Sequence, residues 1–141
     1  LYTNMDTVLQ WSYSQIGGLK TNPSTINIYE IVEDKAQLFE ISFINKSLNF
    51  QNHISPDVFA FADREQISLV LRNLIANAIK FTSSGGSIDI IAQISDNQVI
   101  ISVSDTGIGI AEEKIRTIFN LEQNTSTKGT EGEKGTGLGL L

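Results

Sequence analysis

Three polar residues in the segment LRNLIANAIKFT, namely Asn73, Asn77 and Lys80, fall at i, i+4 and i+7. That spacing stacks them along one stripe of a helix. On a stripe flanked by Leu74, Ile75, Ala78 and Ile79, polar residues of this kind are not an ordinary solvent face. Further along, Asp105-Thr106-Gly107-Ile108-Gly109-Ile110 follows a β-rich run. Its glycines let backbone approach a flat ligand, and a carboxylate at a strand end can accept from an exocyclic amine. The third feature, Gly132-Glu133-Lys134-Gly135-Thr136-Gly137-Leu138-Gly139-Leu140, runs to where a new helix would begin. Such a junction presents free N–H groups and the positive end of a helix dipole to phosphate. It is not a Walker A loop, because no Gly-Lys-Ser or Gly-Lys-Thr closes it. Singly, each feature has a plain reading: surface amides, a turn, a flexible linker.

The elements that must position these residues can be read from hydrophobic period and turn chemistry. Residues 1–16 carry Tyr2, Met5, Leu9, Tyr13 and Ile16 at helical spacing, and Gly17-Gly18 end that helix. Residues 21–25 form a turn around Pro23, and Ile26 and Ile28 alternate as a short strand. A helix is expected over 30–46, with Ile31, Val32, Ala36, Leu38, Phe39 and Phe43 on a core. Strands at 48–52 and 58–62 are expected to oppose one another across a turn at Ser55-Pro56. Asp63 reads as the N-cap of a helix reaching Lys80, with Ile67, Val70, Leu71, Leu74, Ile75, Ala78 and Ile79 inward. Residues 87–95 and 98–105 form a hairpin through Asp96-Asn97. A short helix over 111–119 precedes the polar stretch 120–135, whose few apolar groups predict a mobile segment. No internal repeat is visible. The expected class is α+β: a two-layer α/β sandwich, helices on one face of a mixed β-sheet, preceded by a short N-terminal helix.

Composition narrows the chemistry. The 141 residues have a formal net charge of −6, which argues against a nucleic-acid binder. There is no cysteine, hence no disulfide, Cys-zinc site or thiol nucleophile. The single histidine, His53, leaves little material for a metal cluster or catalytic triad, and reads as a surface residue. No apolar run approaches the roughly 20 residues of a membrane span, so a cytoplasmic domain is expected. A start at Leu1 rather than Met reads as a piece of a longer chain.

In order along the chain, N-x-x-x-N-A-x-K-[FY], then D-x-G-x-G, a Phe at position 119 and G-x-G-x-G-L resembles the catalytic ATP-binding domain of bacterial sensor histidine kinases. That family shares the Bergerat-type ATP fold with type II topoisomerase ATPase subunits, mismatch-repair ATPases and the ninety-kilodalton heat-shock chaperone. The resemblance covers residues 24–141, and residues 1–20 look like the end of a dimerization and phosphoacceptor hairpin plus linker. It implies ATP and Mg²⁺ as cofactors. Asp105 would accept from the adenine amine, with Gly107, Gly109 and Ile110 shaping the loop under the base. Asn77, with Asn73 near it, would hold the metal, and Lys80 would sit by the phosphates. Gly135, Gly137 and Gly139 would hinge a lid on which Thr136 and Leu138 offer backbone N–H groups.

The resemblance also implies phosphoryl transfer to a histidine on a separate hairpin, and relay to the receiver domain of a response regulator. In ATPase relatives a Glu one turn before the metal-binding Asn activates water. Asn73 holds that place here and has no useful basicity, which favours transfer over hydrolysis. The hairpin's acceptor histidine is absent, so self-phosphorylation is not expected. Where the family continues with a helix and two more strands this sequence stops, which leads one to expect uncovered apolar sheet surface. The N-terminal stripe would serve a homodimer or lie back on the domain. The alternative reading is a non-catalytic nucleotide-binding or partner-docking module of the same fold.

Overall fold

The computed structural model describes residues 20–116, 118 and 128–133. The expected N-terminal helix, Phe119 and the box glycines at 135, 137 and 139 lie outside these. The chain divides into two compact units, residues 22–108 and a second made of 1–21 with 109–141.

In the first unit, β1 (Ser24–Asn27) leads into α1 (Ile28–Asn45), followed by β2 (Asn49–Asn52), β3 (Phe59–Ala62), α2 (Arg64–Phe81), β4 (Ser87–Ser95) and β5 (Gln98–Asp105). The expected strand alternation through Ile28 gives way to helix one residue after Asn27. The Asn27 side chain accepts from Glu30 N at 3.2 Å and donates to Pro56 O at 2.8 Å, so one residue ends β1 and caps α1. On α1, Ile28, Ile31, Val32 and Phe43 are buried, while Leu38, placed on the core by sequence, is 59% exposed. At 100° per residue Leu38 lies about 70° from the midline between Ile31 and Val32, beyond Ile31 at the margin of the buried stripe. Val70 on α2 is likewise outward, where the sequence reading had it inward.

The strand pairing differs from expectation. β2 and β3 do not pair; β3 runs antiparallel to β1, from Ser24↔Ala62 to Asn27↔Phe59. β2 instead runs parallel to β4, from Asn49↔Ser87 to Asn52↔Ile90. Among the described residues this makes a two-stranded sheet and a three-stranded mixed sheet ordered β2-β4-β5. The turn residues Ser55 and Pro56 serve a change of sheet rather than a hairpin. The β4–β5 hairpin is as read from sequence, with Asp96 at φ +50° in its two-residue turn. Leu71, Ile75, Ala78 and Ile79 of α2 join Ile88 and Ile90 of β4 and the α1 residues in one core, with Val99, Ile101 and Val103 half-buried against it. The opposite face of the hairpin is polar apart from Ile91 and Ile100, carrying Asp89, Gln93, Ser102 and Ser104. The expected uncovered apolar surface belongs to the other, core-facing side, where Val99, Ile101 and Val103 are half-buried and Ile94 is 69% exposed.

Asp63 caps α2 as predicted. Its Oδ1 accepts from Glu65 N at 3.0 Å and Gln66 N at 3.1 Å, and its Oδ2 from Asn22 N at 2.8 Å. These N–H groups, that of Asn22 foremost, hold its carboxyl below the ordinary value of 3.8. A depressed folded pKa means stability that is present above 3.8 and is lost as pH falls through the folded value. Asp63→Ala should therefore lower the melting temperature at neutral pH, with the gap to the native chain closing under acid. A gap that persists unchanged in acid melts would remove the carboxylate from the account.

Candidate functional site

The helix α2 exposes two distinct faces. Leu71, Ile75, Ala78 and Ile79 are buried in the core, and Asn73, Asn77 and Lys80 fall on the opposite side, all three half-buried. Neither asparagine side chain is hydrogen-bonded among the described residues. The Lys80 ammonium lies 4.6 Å from the centroid of the Phe81 ring. These are polar groups held on a regular helix, with no structural task visible for the two amides.

Asp105 ends β5 in register with Ile88. By the two-residue period it continues the row Val99, Ile101, Val103, and so lies on the sheet face that carries α2. Its Oδ1 accepts from Gly107 N at 2.8 Å, an Asx turn that starts the loop. Thr106 seals the end of the sheet, its N–H donating to Ser87 O at 3.1 Å and its Oγ1 accepting from Ser87 N at 2.9 Å. Ile108 N then donates to Phe81 O at 3.1 Å, stitching the loop to the last residue of α2. Gly107 is required by this approach, since a Cβ there would overlap the Phe81 carbonyl oxygen and lie 2.6 Å from Asp105 Oδ1. The end of the helix bearing Asn77 and Lys80 and the loop bearing Asp105 are thus in direct contact.

In the second unit, Gly109 takes φ +68° with open space around it, and Ile110 is 53% exposed. The short helix α3 (Glu112–Ile115) follows, shorter than expected and with no side-chain cap. Residues 128–133 close a local turn in which Gly129 N donates to Glu133 O at 2.9 Å and Gly132 N to Gly129 O at 3.1 Å. Thr136 and Leu138, with the box glycines, fall outside the described residues, as does most of the stretch read as mobile.

His53 follows β2, exposed, with Nε2 2.7 Å from Asp89 Oδ1 on β4. Its N–H donates to Ile90 O at 2.9 Å, so the residue extends the β2–β4 ladder. One residue of the loop, Thr106, escaped the sequence reading, though it had a signal as the residue between the strand-end acid and the glycine. Lys46, whose Nζ donates to Ile79 O at the end of α2 at 2.8 Å, had none, because a lysine between a helix and a strand looks like any solvated charge. Among the described residues no group of three His, Cys, Asp or Glu could hold a metal, and no helix is long and apolar enough to cross a membrane.

A half-buried amide stripe, an acid-glycine loop docked on the end of the same helix, and a mixed sheet beneath define a nucleotide-binding domain of the Bergerat class. Residues 62–141 match the family of histidine kinase-, DNA gyrase B- and HSP90-like ATPases. The fold is similar to the catalytic domain of histidine kinase ThkA, with a TM-score of 0.73 and 32% identity over 84% of this chain and 75% of that one. ThkA in complex with the response regulator protein TrrA gives 0.69 and 28%, over 90% of this chain and 39% of that one. Full-length ShkA, in complex with AMPPNP, gives 0.73 and 26%, over 96% and 28%. In sequence the chain is 36% identical over 135 residues to the adaptive-response sensory kinase SasA of Microcystis aeruginosa, spanning 94% of this chain and 35% of the relative. The chain belongs to this family, as an ATP-binding catalytic domain of the sensor histidine kinase type. It spans about a third of the length of the SasA relative.

Proposed function

We propose that this domain binds Mg-ATP at the α2–β5 site and passes the γ-phosphoryl group to a histidine on a separate acceptor hairpin, for relay to a response regulator. What supports the reading is the close approach of Gly107 to the Phe81 carbonyl and the bond from Ile108 N to Phe81 O, which bring the loop after the strand-end acid against the end of the amide helix. With Oδ1 engaged by Gly107, Asp105 has Oδ2 available for the adenine amine. Asn77, with Asn73 one turn before it, supplies amide oxygens of the kind Mg²⁺ takes alongside phosphate oxygens and water. Bound Mg²⁺ would neutralise phosphate charge, which matters in a chain of net charge −6. Lys80 contributes a point charge toward the phosphates; for Gly109, Ile110 and residues 135–139 the reading rests on the sequence motifs alone.

In the transfer, the bond from the γ-phosphorus to the β,γ-bridging oxygen breaks as an imidazole nitrogen attacks, and ADP leaves. The residues at Asn73 and Asn77 offer no general base, which suits a nucleophile that needs none. The relatives' response-regulator complex and bound nucleotide analogue support partner and ligand of these classes. Residues 1–20 act as the end of the hairpin and its linker, available for a homodimer, and 21–141 as the catalytic domain, operating in the cytoplasm.

Incubation with γ-labelled ATP, Mg²⁺ and a histidine-bearing hairpin protein tests the proposal: acid-labile phosphate should appear on the hairpin and not on this chain. Nucleotide binding without any transfer would favour the non-catalytic module. The metal assignment has its own test. Asn77→Ala should weaken Mg-ATP by about tenfold, the worth of one ligand contact, and metal-free ATP little. Equal losses with Mg²⁺ and with EDTA, by calorimetry, would reduce Asn77 to a structural amide.

A further inference from the structure

The last four carbonyls of a helix lack partners within its own ladder. In α2 these belong to Ala78, Ile79, Lys80 and Phe81, and each is met. Ala78 O accepts from Thr82 N at 3.0 Å, and Phe81 O from Ile108 N at 3.1 Å. The two between are met by a single side chain: Lys46 Nζ donates to Ile79 O at 2.8 Å and, in a longer contact, to Lys80 O at 3.5 Å. Lys46 is only 5% exposed. An ammonium taken from water needs hydrogen bonds in return, and here it also faces the negative end of the helix dipole. The Lys46 backbone is committed as well. Its N–H donates to Ser42 O at 3.2 Å at the end of α1, and its carbonyl accepts from Gly85 N at 3.0 Å in the turn before β4.

One residue therefore joins the C-terminal ends of both helices to the turn that launches the central strand. We infer that Lys46 is a positioning residue for the nucleotide site. Its ammonium fixes the last turn of α2, and with it the Phe81 carbonyl on which Ile108 and Gly107 rest. The inference rests on the ATP-binding reading above. Lysine suits the task because its stem crosses apolar surroundings while its ammonium reaches two carbonyls; a leucine of similar bulk would fill the space and leave Ile79 O unmet.

The test compares Lys46→Met, which keeps the stem and removes the donors, with Lys46→Arg and with Val32→Ala, a core truncation on α1. Amide exchange in the nucleotide-free chain is read at Ile108 against Ile91 and Ser102, a hydrogen-bonded pair of the hairpin, and ATP affinity by calorimetry. Lys46→Met should speed exchange at Ile108 selectively and weaken ATP by about tenfold, the loss of one charge-assisted hydrogen bond. Lys46→Arg should recover most of both, whereas Val32→Ala should raise exchange throughout and leave the affinity of the folded chain in place. Exchange at Ile108 that follows the hairpin in Lys46→Met would overturn the inference. Should Lys46→Met not fold, the native chain labelled with ¹⁵N-lysine decides: a Lys46 ammonium resonance unmoved by ATP overturns it. Native chain that binds no ATP would refute the nucleotide reading, and the exchange comparison would still judge the positioning.

Discussion

Asp105→Asn should lose roughly 30- to 100-fold in ATP affinity, the equivalent of about 2–3 kcal/mol for a charge-assisted hydrogen bond turned into a mismatch. The variant isolates one contact. Asparagine keeps Oδ1, so the Gly107 N–H that closes the loop at 2.8 Å retains its acceptor. What changes is the second position, where an amine-facing oxygen becomes an NH₂ group that donates. Donor then meets donor at the adenine amine. Guanine carries a carbonyl at that place, so the native carboxylate should reject GTP, and Asp105→Asn should narrow the preference from both directions. Calorimetry with both nucleotides on both proteins measures it. Equal binding of GTP and ATP by the native chain would show that Asp105 does not read the base.

Gly107→Ala should be more damaging than its size suggests. The added Cβ overlaps the Phe81 carbonyl oxygen, which is backbone at the end of a packed helix and cannot swing aside. The loop must lift instead, breaking the bond from Ile108 N to Phe81 O and moving Asp105. Misplacing a binding group by about 1 Å can cost on the order of 100-fold, and the overpacking itself about 1–3 kcal/mol of stability. Gly109→Ala is the control. Its φ of +68° makes alanine strained by about 1–2 kcal/mol, yet nothing lies within 4 Å of the new methyl. Melting curves should therefore separate the two glycines, with Gly109→Ala costing no more than its backbone strain. Matching losses at both would mean that backbone freedom, and not close approach to Phe81, is what the loop requires.

The sequence carried the site further than it carried the sheet. The i, i+4, i+7 stripe and the acid at a strand end are local patterns, legible because helix and strand periods are fixed by the backbone. The β4–β5 hairpin was legible for the same reason, its partners being neighbours along the chain. Pairing of β2 was not, since Leu48 and Phe50 alternate equally well beside β3 or β4. Only the packing of one face of the three-stranded sheet against α1 and α2 in a single core chooses between them. The fault at Leu38 and Val70 is of another kind: both are apolar residues at the margin of a stripe, where counting positions misjudges an angle. Lys46 was illegible because its partners are backbone carbonyls, which leave no trace in side-chain composition. The family resemblance supplied the roles; the residues alone supplied amides, an acid and glycines.

The parallel pairing of β2 with β4 has a consequence for how the chain assembles. β4 meets β5 across a two-residue turn, so that half of the sheet closes with little loss of chain entropy. β2 meets β4 only after β3 and the whole of α2 have been looped out between them. Contacts so distant along the chain form slowly, because the entropy of the loop is spent before the contact rewards it. The hairpin and α2 are thus the natural nucleus of folding, and β2 docks late, bringing with it α1 and the ammonium of Lys46. A refolding chain would hold α2 and the β4–β5 hairpin early, with the end of α2 unbraced until β2 docks and brings Lys46 to it.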